Sequence, residues 1–130
     1  LRGIEAMRQL PYVDSKQIVL AGNGEMAVVA LLAALLDGGL AGILLKQAPD
    51  TLNAPDNQDA LHLIEIINLL RHTDLPEIAA CLWPMKLAFV EDLGAFEWTK
   101  EVYENLGGSV QQYSNASDID FAPFLNEVVY

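Results

Sequence analysis

Apolar and polar residues alternate along this chain in blocks whose period changes from one block to the next. Short runs of aliphatic and β-branched residues predict strands at Gln17–Ala21, Leu40–Lys46, Lys86–Val90 and Val110–Tyr113. Apolar residues spaced three and four apart predict helices over residues 1–10, 25–36, 58–70, 75–80, 96–106 and 121–130. This alternation of strand and helix predicts an α/β fold of three layers, with about four parallel strands and helices on both faces.

The most informative segment is the glycine corner, Gly22-Asn23-Gly24-Glu25-Met26, which follows the first predicted strand and opens a long apolar helix. Strand–turn–helix corners of this kind commonly carry binding or catalytic groups in α/β proteins. The pattern Gly22-x-Gly24-x-x-Ala27 also fits the loose dinucleotide fingerprint, which calls for an acidic residue at the end of the next strand. That strand ends instead in Lys46-Gln47. A nucleotide-binding domain therefore stays an alternative that stabilisation by NAD(P) or FAD would support.

Three segments resemble α/β-hydrolases of the acetyl xylan esterase and dienelactone hydrolase-like branch. Leu10–Ile18 is similar to the lead-in to that family's nucleophile strand. Asp74–Ala80, continued by Trp83–Leu87, looks like its D-L-P-E-I-A-A-L-x-A-P-R-P-L segment, and Phe96–Gly107 is similar to its A-x-x-x-Y-x-x-L-G helix. The resemblance implies half of an α/β-hydrolase sheet, the C-terminal half, in a single module over residues 1–130 that is part of a longer chain.

The resemblance also implies where catalytic groups would stand, and this chain departs from the family at two of three positions. The nucleophile elbow G-x-S-x-G matches the glycine corner, with Gly24 at the serine and Met26 at the last glycine. We expect the Met26 side chain to crowd the packing of helix on strand. The remnant acid is Glu91 or Asp92. The base would be a histidine within residues 114–120, and that segment contains none.

Without a nucleophile and a base, the resemblance favours a catalytically inactive α/β-hydrolase-like module with a structural, ligand-binding or protein-contact role. The alternative is part of an active carboxylic-ester hydrolase whose missing catalytic groups lie outside this chain. The two histidines, His62 and His72, are interpreted as surface or boundary residues. No cofactor and no metal is predicted, although Glu91, Asp92, Asp118 and Asp120 form an alternative Ca²⁺ or Mg²⁺ site at the end of the sheet.

Charge and composition narrow the choice of partners. Seven basic and 18 acidic residues give a net charge of −11, which argues against nucleic acid and anionic membranes as partners. The single cysteine, Cys81, excludes an internal disulfide, and its apolar neighbours predict a buried thiol. The half sheet leaves Gln17–Ala21 as an apolar edge strand. We expect this edge to pair with the upstream half of the same polypeptide or with a second copy, as a homodimer.

Overall fold

A computed structural model describes residues 1–52, 69–92, 94 and 96–125 of the chain. Five α-helices, α1 to α5, span Arg2–Arg8, Glu25–Asp37, Leu75–Ala80, Glu97–Asn105 and Ala122–Leu125 in these residues. Four strands, β1 to β4, span Val19–Asn23, Gly42–Lys46, Lys86–Val90 and Gln111–Tyr113. Short 3₁₀ turns lie at Leu69–Arg71 and Ala116–Asp118.

The four described strands form one parallel sheet in the order β1-β2-β3-β4, with helices around it. The predicted three-layer α/β fold is therefore confirmed. Because each strand lies beside the one that precedes it in the chain, the order never reverses within these strands. β1 and β4 are the two edges of the described sheet.

The two faces of the sheet contribute to two hydrophobic cores, because neighbouring residues of a strand point to opposite faces. Ile43 and Leu45 face the larger core, which α1, α2, α3 and α4 complete with buried side chains. Leu44, which lies between them, faces the smaller core. The buried members of that smaller core are Leu44, Ala88, Val90 and Phe124.

The helix α2 is the longest in the described part of the chain, with 13 residues. It ends at Gly38, whose φ of 66° allows the left-handed turn that closes the helix. Arg8 of α1 donates to both carboxylate oxygens of Asp37 at the end of α2, at 2.8 and 2.6 Å. That hydrogen bond lowers the pKa of Asp37 in spite of partial desolvation. None of the described helices combines the length and the apolar character that crossing a membrane requires.

Two sequence predictions about the fold need correction, and two fall partly outside the described residues. β1 starts two residues later than predicted, because Asp14 holds a turn through its backbone and side-chain oxygens before the strand begins. It also ends two residues later, because Gly22 and Asn23 still pair with Leu45 and Lys46 of β2. Cys81 is exposed, not buried, because it follows the last residue of α3 on the solvent side. Most of the predicted helix over residues 58–70, and the end of the helix over 121–130, lie outside the described residues.

Candidate functional site

The glycine corner joins the carboxyl end of β1 to the first turn of α2. Gly24 stands between them with φ 55° and ψ −127°, a sparsely populated conformation that costs residues with a Cβ about 1–2 kcal/mol. Its N–H donates to the Lys46 carbonyl at the end of β2, 3.0 Å away, and its carbonyl accepts from the Ala27 N–H. A Cβ placed on Gly24 would meet no atom within 4 Å. The apex is therefore open, and only backbone strain opposes a side chain there.

Gly22 is required for a different reason, because α2 lies directly against it. A Cβ at this position would stand 2.5 Å from the Met26 carbonyl oxygen and 2.6 Å from the Ala27 Cα. Both are backbone atoms that cannot move aside without shifting the helix. Met26 itself is 61% exposed, so the expectation that its side chain crowds this packing is wrong. The close contact with β1 comes instead from the backbone of α2 and from Ala27, which is buried.

The ends of β2 and β3 repeat the backbone arrangement of the glycine corner. Gln47 has φ 46° and Glu91 has φ 55°, both in the left-handed region that residues with a Cβ rarely adopt. The Gln47 N–H donates to the Val90 carbonyl at 3.0 Å, and the Glu91 N–H donates to the Tyr113 carbonyl at 2.9 Å. Gly24, Gln47 and Glu91 thus share one role: each turns the chain away from its strand while bonding to the last carbonyl of the next strand.

The side chain of Glu91 is held by the residues that end β2. Lys46 Nζ lies 3.1 Å from Glu91 Oε1, and Gln47 Nε2 donates to Glu91 Oε2 at 2.7 Å. Sequence reasoning missed this contact. The signal for it was present, because Lys46 ends β2 and Glu91 follows β3, and the register places Lys46 beside Val90. Opposite charges at the ends of neighbouring parallel strands are brought within reach of each other.

Asp92 contacts a cation of α4 and an amide of β4. Lys100 Nζ donates to Asp92 Oδ2 at 3.2 Å and to Glu97 Oε1 at 2.8 Å, and Gln112 Nε2 donates to Asp92 Oδ2 at 3.3 Å. Only 5% of the Asp92 side chain and 11% of the Lys100 side chain are exposed. Burial lowers the pKa of Lys100, but the hydrogen bonds and charges of Glu97 and Asp92 outweigh it and raise the pKa overall. The predicted remnant acid therefore fastens α4 to the end of the sheet.

Two open clefts flank the acids that follow β3. One, of about 810 Å³, lies between the segments after β2 and β3. Its lining residues in the described chain are Gln47, Ala48, Pro49, Asp50, Glu91, Asp92 and Gly94. The other, of about 480 Å³, lies towards β4 and is lined by Phe89, Glu91, Asp92, Gln112, Tyr113 and Ser114. Within the described ranges, no three His, Cys, Asp or Glu side chains are grouped so that they could hold a metal ion.

The segment after β4, where the resemblance implies a histidine, is built from local polar contacts. Asn115 Nδ2 and Ser117 Oγ both donate to the carboxylate of Asp118, at 3.3 and 3.1 Å. Asp120 accepts from the backbone N–H of Ala122 at the start of α5, at 2.9 Å. His72 is exposed in the segment before α3, and His62 lies outside the described residues. These acids shape the turn between β4 and α5.

The Asp-Leu-Pro-Glu segment has a structural explanation at the start of α3. Asp74 Oδ1 accepts from the backbone N–H groups of Leu75 at 2.8 Å and Leu52 at 2.9 Å. Its other oxygen accepts from the Thr51 hydroxyl. Glu77 accepts from the backbone N–H of Asp74 and completes the capping box. Asp74 therefore fixes the chain that leaves β2 to the start of the helix that leads to β3.

Comparison with known proteins does not assign a function to this site. No protein-family model matches the chain, and neither a curated protein nor a solved structure is significantly similar to it.

Proposed function

We propose that this chain is a catalytically inactive α/β-hydrolase-like module whose role is to form a protein contact. The observation that carries the proposal is Gly24. It occupies the apex of a strand–turn–helix corner in the strained conformation that such an elbow gives its nucleophile, but it has no side chain with which to attack a substrate. The resemblance of three sequence segments to the α/β-hydrolase family supports the hydrolase-like part of the proposal.

The condition of the remaining catalytic positions supports inactivity. Asp92, at the expected acid position, is engaged with Lys100 and Gln112. Residues 114–120, at the expected position of the base, include no histidine. Base and nucleophile act as one unit in such enzymes, so loss of both leaves at most the residual rate that binding and an oxyanion hole provide. The contact role is supported by the position of β1, which is an edge of the described sheet.

The test is hydrolysis of p-nitrophenyl acetate by the wild-type chain and two variants, Gly24→Ser and Gly24→Ala. The alanine variant is the matched control, because it has the same backbone strain without the hydroxyl group. We expect all three proteins to show the rate of the heat-denatured chain. Saturable hydrolysis by the wild type would favour the alternative, an active ester hydrolase. A rate for Gly24→Ser about tenfold or more above Gly24→Ala would show a working base and would contradict the inferred loss of the base, while the wild type, which lacks the hydroxyl group, would remain inactive.

A further inference from the structure

Within the described residues, no strand pairs with the side of β1 that faces away from β2, and this side presents backbone groups with which a further strand can pair. In a parallel strand, alternate residues direct both their N–H and C=O groups to the same neighbour. The bonds from Ala41 N–H to the Ile18 carbonyl and from Gly24 N–H to the Lys46 carbonyl show that even-numbered residues of this segment face β2. The N–H and C=O groups of Val19, Ala21 and Asn23 therefore point away from the described sheet.

The helix beside this edge is apolar on all sides, which is typical of a helix that is covered all round. α2 packs on β1 and β2, and every residue from Met26 to Leu36 is apolar. Met26, Val29 and Leu36 are nevertheless 61%, 39% and 73% exposed, and their spacing places them on one stripe. The helix that packs on β1 thus carries an exposed apolar stripe of its own.

Charge near the edge distinguishes between the two directions in which a strand can be added. Lys16 lies before β1, and Glu25 lies after β1, directly following Gly24. In an antiparallel pair of identical strands, the start of each strand lies beside the end of the other. Lys16 of each copy then approaches Glu25 of the other copy, twice by symmetry. A parallel strand places no such opposite charges together.

We propose that β1 pairs antiparallel with β1 of a second copy of this chain, around a two-fold axis at Ala21. Val19 then lies opposite Asn23 of the second copy, and the two described sheets become one continuous sheet. Both α2 helices lie on the same face of that sheet, beside the junction. This inference rests on the protein-contact role proposed above and is independent of esterase activity, so its failure leaves the assay of Gly24 unaffected.

Disulfide cross-linking tests the register, in a Cys81→Ser background that removes the native exposed thiol. Residues that face each other in a hydrogen-bonded antiparallel pair have Cα atoms about 5.5 Å apart, within the range of a disulfide. Ala21→Cys should therefore form a covalent dimer in a glutathione buffer. Val19→Cys is the matched control, because the two copies of residue 19 stand about 13 Å apart along the strands.

A mixture of the Val19→Cys and Asn23→Cys proteins should cross-link to a heterodimer, although neither cross-links alone. Cross-linking of Ala21→Cys no faster than Val19→Cys would overturn the proposed register. So would cross-linking of Val19→Cys alone, which indicates a different pairing of the two strands.

Light scattering tests the interface without new cysteines. We expect the wild-type chain to have the mass of a dimer at physiological ionic strength, where the repulsion between two chains of net charge −11 is screened beyond about 8 Å. Ala21→Pro should be monomeric with unchanged circular dichroism, because the N–H that it removes points away from β2. A wild-type chain that remains monomeric over its whole soluble concentration range would overturn the proposal.

Charge reversal tests the two symmetric ion pairs. Lys16→Glu and Glu25→Lys should each weaken the dimer by about tenfold, since each change creates two repulsive pairs in place of two attractive ones. The double variant should restore the wild-type dissociation constant. Additive weakening in the double variant would contradict the antiparallel arrangement.

Discussion

The ends of β1 and β3 have the same backbone arrangement and opposite chemistry. At the end of β1, Gly24 turns the chain at a positive φ and leaves open space around its apex. At the end of β3, Glu91 turns the chain in the same way, and Asp92 follows it. Both carboxylates are held by cations and amides of neighbouring elements.

The comparison shows that a suitable position at the end of a strand does not by itself make a residue reactive. The apex at the end of β1 has the accessibility that a reactive group needs, but Gly24 has no side chain there. The end of β3 has ionisable groups, but their contacts with Lys46 and Lys100 join elements of the fold. A parallel sheet places both ends at the same edge, where α/β proteins bind ligands. The sheet therefore supplies the location of a site, whereas the side chains at that location decide whether it does chemistry.

The largest expected effect concerns the two glycines of the glycine corner. Gly22→Ala should lower the free energy of unfolding by about 3 kcal/mol, because its Cβ overlaps backbone atoms of α2. Gly24→Ala should lower it by only about 1 kcal/mol, because strain at positive φ is its only penalty. Urea unfolding followed by circular dichroism measures both. Equal effects would mean that α2 can move away from β1, and would contradict the tight contact at Gly22.

The general architecture was predictable from sequence because its causes are local. Apolar strands such as Leu40–Lys46 and the glycine turns around α2 specify their own structure, and the parallel arrangement follows from the alternation. The left-handed conformations of Gln47 and Glu91 were not predictable, because neither residue type favours positive φ. They depend on hydrogen bonds to the next strand, which exist only once the sheet has formed.

The errors in burial have a similar origin. Cys81 has apolar neighbours in sequence, and Met26 belongs to an apolar helix, yet both are exposed. Local composition does not determine which side of an element faces the core when nearly every residue of that element is apolar. For the candidate site, the sequence identified Gly24, Glu91 and Asp92, but the cations that hold the acids come from β2 and α4 and become visible only in three dimensions.

The second prediction tests the structural role of the acids after β3. Lys100→Met keeps the apolar stem but removes the cation beside the buried Asp92 carboxylate, and should cost about 2 kcal/mol of stability. Glu97→Gln is the matched control on the same helix: its side chain is 68% exposed, so its ion pair should contribute less than about 0.5 kcal/mol. Adding Asp92→Asn to Lys100→Met should recover part of the loss. If urea unfolding showed Lys100→Met to be no more destabilising than Glu97→Gln, the ion pair between Lys100 and Asp92 would not contribute to stability.

The smallest expected effect is a loss of folding stability at alkaline pH. We expect it at the end of β3 and not at Gly24, which has no side chain to titrate. Contacts with Glu97 and Asp92 raise the pKa of Lys100 in the folded chain despite the opposing effect of burial, so the folded state retains this proton after the unfolded state has begun to lose it. Stability from this contact is therefore complete below the ordinary lysine pKa of about 10.4 and falls as pH rises through the folded value.

Burial also raises the pKa of Tyr103, which adds an alkaline loss in the same direction, but that loss is common to the wild type and to Lys100→Met. The difference in unfolding free energy between these two proteins should consequently shrink above about pH 10.4, whereas the difference between wild type and Gly24→Ala should stay constant. A Lys100→Met difference that remained constant to high pH would show that the lysine acts through its apolar stem and not through its charge.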